Sequence, residues 1–363
     1  MVANLTTRLG QLTSTPAGGP YVGKNRIING NMATDQYLAG GTIVPSATGT
    51  TNYLIDRFAY VCTQGSKMTF GQNYGAVTPP AGFSNYLGAK VTTTATVAAG
   101  DTFYLLQRIE GFNVADLNWG SANAKSITLS FSAYSSATGT FGGAIKNSAS
   151  DRAYPFTYSI PVANTWTAIT IVVTGDTTGT WLTTNGIGIQ LAFSYGSGTT
   201  YSTTAGAWAA GNFTSATGAV NLLGTSNATL YITGVQLESG TIATPYEFNQ
   251  YQVQLAQCQR YYQTVQSLMM NGVTTAQAIM MYFPKVPFRA TPTISLYSTS
   301  PYVESVPWNT VGSLTSASVS ASHLTVNGGD ISITGTFSPA TSYGSVWLLG
   351  GPTTTVISFT AEL

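Results

Sequence analysis

One histidine, two cysteines and twelve Asp and Glu residues carry the acid–base, nucleophilic and metal-binding chemistry open to this 363-residue chain. His323 lies in VSASHLTVNGG, and its nearest acid in sequence, Asp330, stands across an Asn-Gly-Gly turn. A Ser-His-Asp hydrolase needs that imidazole oriented by a carboxylate and set beside a nucleophile. A histidine flanked by serines on a strand reads instead as a surface or interface residue. Cys62 and Cys258 are far apart and, with one histidine, do not supply the four ligands of zinc. Both read as reduced thiols, buried or half-buried. The glycines form neither a phosphate loop nor a dinucleotide fingerprint. No catalytic residue, cofactor or metal is expected.

Paired carboxylates are a separate case, because a glycosidase needs only two. The acids beyond residue 101 in the first two thirds of the chain are Glu110, Asp116, Asp151, Asp176, Glu238 and Glu247. Glu110 and Asp116 share one loop system, at a spacing that permits a calcium site or nothing. Asp56-Arg57, Arg108 with Glu110, and Asp151-Arg152 read as structural ion pairs or turn caps. A polysaccharide depolymerase is therefore the lesser alternative.

Aromatic rings offer more. Tyr and Trp stack on sugar faces, and they also fill interfaces at small rotamer cost. The candidates are Tyr201, Trp208 and Phe213 in a long connection, and Tyr297, Tyr302 and Trp308, with His323, near the C-terminus. Sugar binding, burial between copies and ordinary core packing all want such rings backed by Ser, Thr and Asn.

The elements that must position them follow from composition and period. With 39 Gly, 21 Tyr, 15 Phe and only 7% charged residues, the chain suits many short strands separated by Gly, Ser and Thr turns. A net charge of +1 leaves no field to steer nucleic acid or an anionic membrane, and no run of 18 apolar residues would span a bilayer. So poorly charged a surface favours life inside an assembly. Strands are expected at Arg26–Ile28, Tyr53–Ile55, within 57–72 and 87–97, and at Phe103–Ile109, Ser126–Tyr134, Phe141–Lys146, Tyr154–Ile160, Trp166–Val173, Ile187–Ser194 and Leu230–Leu237. The connection Gly196–Thr225 is long enough to be a functional or assembly loop.

The period then changes. Tyr251, Leu255, Cys258 and Tyr262 fall at spacings of four, three and four, one face of a helix. That face carries about one strong contact per turn, enough to support a three-fold seam without specifying it. The expected organisation is all-β: an N-terminal attachment segment (1–25), with Leu5, Leu9 and Leu12 at helical spacing; a jelly-roll-like antiparallel β-sandwich (26–248); a short linking helix (249–264); and a smaller C-terminal antiparallel β-domain (265–363).

Several stretches together resemble a group of tailed-bacteriophage virion proteins, tail-fibre and related structural proteins with a carbohydrate-binding-like jelly-roll module. They are Asn25-Arg26-Ile27-Ile28-Asn29-Gly30-Asn31-Met32, Asp56-Arg57-Phe58, Gln107-Arg108-Ile109-Glu110-Gly111, Ile232 to Thr241 (ITGVQLESGT), Ala243-Thr244-Pro245-Tyr246-Glu247-Phe248, and Cys258-Gln259-Arg260-Tyr261-Tyr262. The resemblance implies a homotrimeric virion protein assembled in the host cytoplasm. It implies other virion proteins as partners through the N-terminal segment, and a host-surface glycan as ligand through the C-terminal domain as receptor-binding tip. It transfers no active site. Because no extended shaft precedes the globular part, a purely structural capsid-decoration, tail or baseplate protein is the alternative.

Overall fold

Alternation along each strand decides which side chains are buried, and in the first two thirds of this chain two sheets bury their apolar faces against each other. The computed structural model describes residues 23–274, 276–296, 302–306, 310–338, 345–349 and 357–363. They divide into two units after Asn249. Unit one contains β1 (Thr42–Ile43), β2 (Asn52–Ile55), β3 (Phe58–Cys62), β4 (Met68–Gln72), β5 (Leu87–Val91), β6 (Thr102–Glu110), β7 (Ile127–Ser135) and β8 (Gly139–Lys146). It continues with β9 (Arg152–Ile160), β10 (Thr167–Val173), β11 (Ile187–Ser197), β12 (Ser202–Thr203), β13 (Ala209–Ala210), β14 (Ser215–Ala216) and β15 (Thr229–Ser239).

The first sheet has the order β1-β4-β5-β15-β7-β10 and the second β13-β9-β8-β11-β6-β3-β2. Phe103, Leu105 and Ile109 of β6 and Ile189, Leu191 and Phe193 of β11 share one core with Leu129 and Phe131 of β7 and Leu230 and Ile232 of β15. Phe131 meets Phe193 at 5.0 Å and Tyr158 at 5.1 Å between ring centroids, both edge to face, the arrangement favoured by ring quadrupoles. This is the all-β sandwich expected from the pattern. Cys62 and Cys258 are both buried, and no disulfide joins them.

Alternation breaks once in β15. Its register against β7 slips between Thr233 and Gln236. Gly234 adopts φ +64° there, and the Phe83 ring stands where a β-carbon would be, 2.6 Å from Cζ. Only glycine accepts both the left-handed backbone and the ring.

The residues flanking this bulge hold the two ends of unit one together. Residues Arg26–Ile28, expected as a strand, are an extended lead-in whose backbone groups find partners elsewhere. The Gly23 and Asn25 N–H groups donate to the two carboxylate oxygens of Glu247, at 2.6 and 2.8 Å. Arg26 N–H donates to Leu237 O, and Val235 N–H donates to Gly30 O, both at 2.9 Å. The Asn25 amide oxygen accepts from Leu237 N–H and Ile27 N–H, and Lys24 Nζ reaches Thr244 Oγ1 and Pro245 O. Gln236 accepts from Glu247 N–H, while Glu238 accepts from the backbone and hydroxyl of Thr244. Segments some 220 residues apart in sequence thus meet in one polar clamp.

Unit two opens with α1 (Tyr251–Gln259) and then β16 (Tyr262–Val265), β17 (Ser267–Thr274), β18 (Gln277–Tyr282), β19 (Thr293–Leu296) and β20 (Tyr302–Val306). β21 (Thr310–Thr325), β22 (Gly328–Ser338), β23 (Ser345–Leu349) and β24 (Ile357–Thr360) complete it. β17-β18-β22-β21-β20-β23 close into a barrel, and β16-β24-β19 form a separate three-stranded sheet. Gln263 is fully buried at the start of that sheet with its amide satisfied: it donates to Gln259 O and Val286 O and accepts from Tyr282 Oη and Lys285 N–H. Tyr282 stacks on Phe359 at 4.0 Å.

Removing the clamp carboxylate leaves two backbone donors without their acceptor. Glu247→Ala is expected to destabilise unit one by about 0.5–1.5 kcal/mol. The check is the urea midpoint followed by tryptophan fluorescence, compared with the unaltered chain.

Candidate functional site

The protein's own chain lies over the outer face of the second sheet. Cross-strand pairs put Tyr104, Leu106 and Arg108 of β6 on that face with Val61 and Ala59 of β3, Gln190, Ala192 and Ser194 of β11, and Ala144 and Lys146 of β8. Tyr104, Leu106, Ala192, Ala144 and Lys146 are all buried. The connection 198–217 forms a strap across this face. Gly206 N–H donates to Pro155 O at 2.9 Å, Gly211 N–H to Asp151 O at 2.8 Å, and β13 extends the sheet beside β9. Lys146 Nζ donates to Asn212 Oδ1 at 2.9 Å, and Thr214 Oγ1 lies 2.8 Å from Thr102 Oγ1 and 2.9 Å from Ser197 Oγ. Gly142 permits the contact: a β-carbon there would sit 2.3 Å from Ser215 Oγ. Burial pushes the Lys146 ammonium down to about 8, with the Arg108 charge adding to the effect.

Where the strap leaves the face, it carries Trp208 into a cluster of three indoles. Trp119 follows two short 3-10 turns after β6, and Trp181 sits in the loop between β10 and β11. The Trp119–Trp181, Trp119–Trp208 and Trp181–Trp208 centroids are 4.6, 5.3 and 5.3 Å apart, each pair near-perpendicular. Each indole N–H is spent on a backbone carbonyl: Trp119 on Lys125 O, Trp181 on Thr178 O and Trp208 on Thr174 O. Trp119 is buried at the core margin, while Trp181 and Trp208 are half-exposed. Leu182, Thr183, Thr184 and Asn185 surround Trp181 in sequence and are exposed. Beneath Trp119 and Trp181 lies a cavity of about 10 Å³ lined by Val114, Leu117 and Ile189, room for one water at most.

An ion pair fixes this corner. Arg152 Nε and Nη2 donate to the two oxygens of Asp176 at 2.9 and 2.6 Å, and its guanidinium lies 6.0 Å from the Trp208 ring centroid. Burial alone would raise Asp176, but the hydrogen bonds from Arg152 and Thr178 outweigh it and hold the carboxyl below its ordinary range. A planar fork on two carboxylate oxygens fixes orientation as well as distance. The corner is therefore a rigid, half-exposed aromatic patch rimmed by hydroxyl and amide groups. Such a patch can stack against an apolar ligand face, with hydrogen bonds at its edge.

Three further acids of unit one accept hydrogen bonds. Arg152 pairs with Asp176, and its neighbour Asp151 accepts instead from Asn147 Nδ2 at 2.6 Å. Asp56 accepts from the backbone and side chain of Gln36 and is pushed up to about 6 by burial. Arg57 is buried at φ +67° in the turn between β2 and β3, donating to Arg108 O. Asp116 pairs with Arg26 at 2.8 Å. Among the described residues no cluster of three or more His, Cys, Asp or Glu could hold a metal ion.

Of the aromatic candidates, Trp208 joins the cluster; Tyr201 sits close enough to Tyr104 to perturb it electrostatically, and Phe213 packs over Gly211. Tyr302 opens a barrel strand, though its side chain lies outside what the structure describes; Tyr297 and Trp308 lie outside the described residues altogether. His323 is exposed, with Nδ1 3.4 Å from Asp330 Oδ2. The helix ends at Gln259, so Tyr262 belongs to β16; Tyr251 is exposed, Leu255 half-buried and Cys258 buried. The indole that sequence reasoning passed over is Trp181. Its signal was an isolated tryptophan in the polar run Gly179-Thr180-Trp181-Leu182-Thr183-Thr184-Asn185-Gly186.

No family model matches this sequence, and no curated protein matches it either. Among solved structures, the chain is similar to the enzymatically active domain of bacteriophage CBA120 tailspike protein 4, at 13% identity and TM-score 0.32, over 60% of this chain and 21% of that one. It is also similar to the family 11 carbohydrate-binding module from Clostridium thermocellum, at 14% identity and TM-score 0.27, over 55% of this chain and 100% of the module. A third is the N-terminal cellulose-binding domain of Cellulomonas fimi β-1,4-glucanase C, at 15% identity and TM-score 0.24, over 44% of this chain and 82% of that domain. With every TM-score below 0.5, function has to be argued from this chain's own residues. Among the described residues no helix is long and apolar enough to cross a membrane.

Two outcomes test the corner and the strap. Asp176→Asn leaves the Arg152 guanidinium without its charged acceptor and is expected to cost roughly 2 kcal/mol, read as a lowered urea midpoint. Lys146 binds its proton less tightly folded than unfolded, so stability is penalised below about pH 8 and recovers as pH rises toward 10.5. The recovery is on the order of 3 kcal/mol. Lys146→Met is expected to flatten that rise, measured as urea midpoints between pH 7 and 10.5.

Proposed function

We propose that this chain is a virion component of a tailed bacteriophage that recognises host-surface glycan without covalent chemistry, and that the Trp181–Trp208 corner makes the contact. The observation that carries this reading is the corner itself. Two half-exposed indoles are held rigid by each other, by Trp119 and by the Arg152–Asp176 pair, with exposed threonines and Asn185 beside them. A sugar presents an apolar C–H face and a rim of hydroxyls, and this patch offers the complement of both. Rigidity matters because ordering rings on binding would consume the affinity gained. Weak contacts of this size become useful when many copies act together, as on a virion. The virion assignment rests on the sequence resemblance, whose quoted residues 25–30 and 232–248 supply the clamp that closes unit one.

A structural role without receptor binding is the second reading. The strap over the outer face of the second sheet favours it, since Tyr104, Leu106 and Ala192 of that face are buried. Glycan-array binding of the full chain separates the two. Trp181→Ala is expected to weaken binding about tenfold, some 1.4 kcal/mol. Failure of the unaltered chain to bind any host glycan would leave the structural reading.

A further inference from the structure

Sheet edges carry unpaired N–H and C=O groups, and proteins blunt them with short strands, bulges, charges or proline. Three of the four edges of this sandwich are blunted. β1 and β13 are two residues long, and β2 has four with a register irregularity between Tyr53 and Ile55. The fourth, β10, is not. Its seven residues, Thr167-Ala168-Ile169-Thr170-Ile171-Val172-Val173, pair with β7 in unbroken register and include no charge, proline or glycine. Among the described residues no backbone group pairs with its far side. Both faces are partly open at this edge. Ala168, Thr170 and Val172 are exposed, while Ile169 and Ile171, pointing toward the core, are only half-buried.

We infer that β10 is an interaction edge, and that its occupant is β10 of a second copy of this chain, running antiparallel across a two-fold axis. The strand is its own best complement. Sheet faces must stay aligned, so a slip of one residue is forbidden, and centring on Thr170 is the alignment that pairs all seven residues. It sets Ile169 opposite Ile171 of the second copy on one face and Ala168 opposite Val172 on the other. Thr170 meets its own counterpart and Thr167 meets Val173. Apolar and β-branched pairs of this kind are the stabilising unit of antiparallel sheets, and no like charges oppose one another. The two first sheets would become one continuous sheet. The contact is isologous, so it is distinct from any three-fold seam.

Thr170 provides the test because it is exposed and lies on the axis. Directly opposite Cα atoms in an antiparallel pair are about 4.5–5.5 Å apart, within disulfide reach. The natural thiols, Cys62 and Cys258, are buried. In the full chain, Thr170→Cys is expected to give a covalent dimer under mild oxidation. Thr157→Cys, on an exposed position of β9, should not. Sedimentation equilibrium of the unaltered chain is expected to show an even-numbered assembly. Thr170→Lys, which opposes two ammonium groups at the axis, should weaken the self-association at least tenfold. A monomer or a simple trimer at all concentrations would overturn the inference. So would cross-linking of Thr170→Cys no faster than the Thr157→Cys control, or a Thr170→Lys chain that assembles undiminished.

Discussion

Unit one is closed by the carboxylate of Glu247. Glu247 receives the backbone N–H groups of Gly23 and Asn25, and around it the lead-in of the sandwich is bound to the segment that leaves it. An irregular lead-in cannot satisfy its own donors, and a buried N–H without a partner costs as much as the hydrogen bond it lacks. The partners have to come from elsewhere, and here they come from the far end of the unit. Gln236, Glu238 and Asn25 extend the same solution, each side chain serving backbone groups that no strand ladder reaches. Much of the polar capacity in a chain with 7% charged residues is thereby spent on architecture.

The same economy governs the aromatic rings. Tyr86, Tyr231 and Tyr134 stack in series on the outer side of the first sheet, with Trp166 against two of them. Phe83, Tyr246 and Phe248 gather over the Gly234 bulge. Rings stacked face to face on each other have few faces left for a ligand. The Trp181–Trp208 corner differs because its rings meet edge to face, and two of them remain half-exposed beside a hydroxyl-rich loop. Asp176 and Arg152 hold that geometry, the guanidinium lying 6.0 Å from the Trp208 ring centroid.

What lies over the second sheet changes the reading of the long connection. Length and aromatic content single out Gly196–Thr225 as functional, and Trp208 does reach the corner. Most of the segment instead serves as a strap, tied down by Asn212, Thr214 and the glycine contact at Gly142. Lys146 is the physical cost of that arrangement: an ammonium removed from water with a neutral amide oxygen as its acceptor, beside the Tyr104 ring.

Local pattern was enough to determine the fold class. Period-two alternation marks most of the sandwich strands, because burial of one sheet face is written into every second residue. It also placed the change of period after Gln250, though not the end of the helix. Tyr262 keeps helical spacing from Cys258 yet belongs to β16, where pairing with Thr360 outweighs the local pattern. Arg26–Ile28 has the composition of a strand, and its hydrogen bonds to Leu237 and Gln107 are what make it a lead-in instead. Carboxylate partners were legible only as a class. Asp151 adjoins Arg152 in sequence, but Asp176 holds the guanidinium, since ion-pair geometry is set in space by loops that sequence does not orient. The convergence of Trp119, Trp181 and Trp208 from three separate connections belongs to tertiary structure alone. Residues far apart in the chain become neighbours only once the sheets have packed, and nothing in the spacing of three tryptophans encodes that distance.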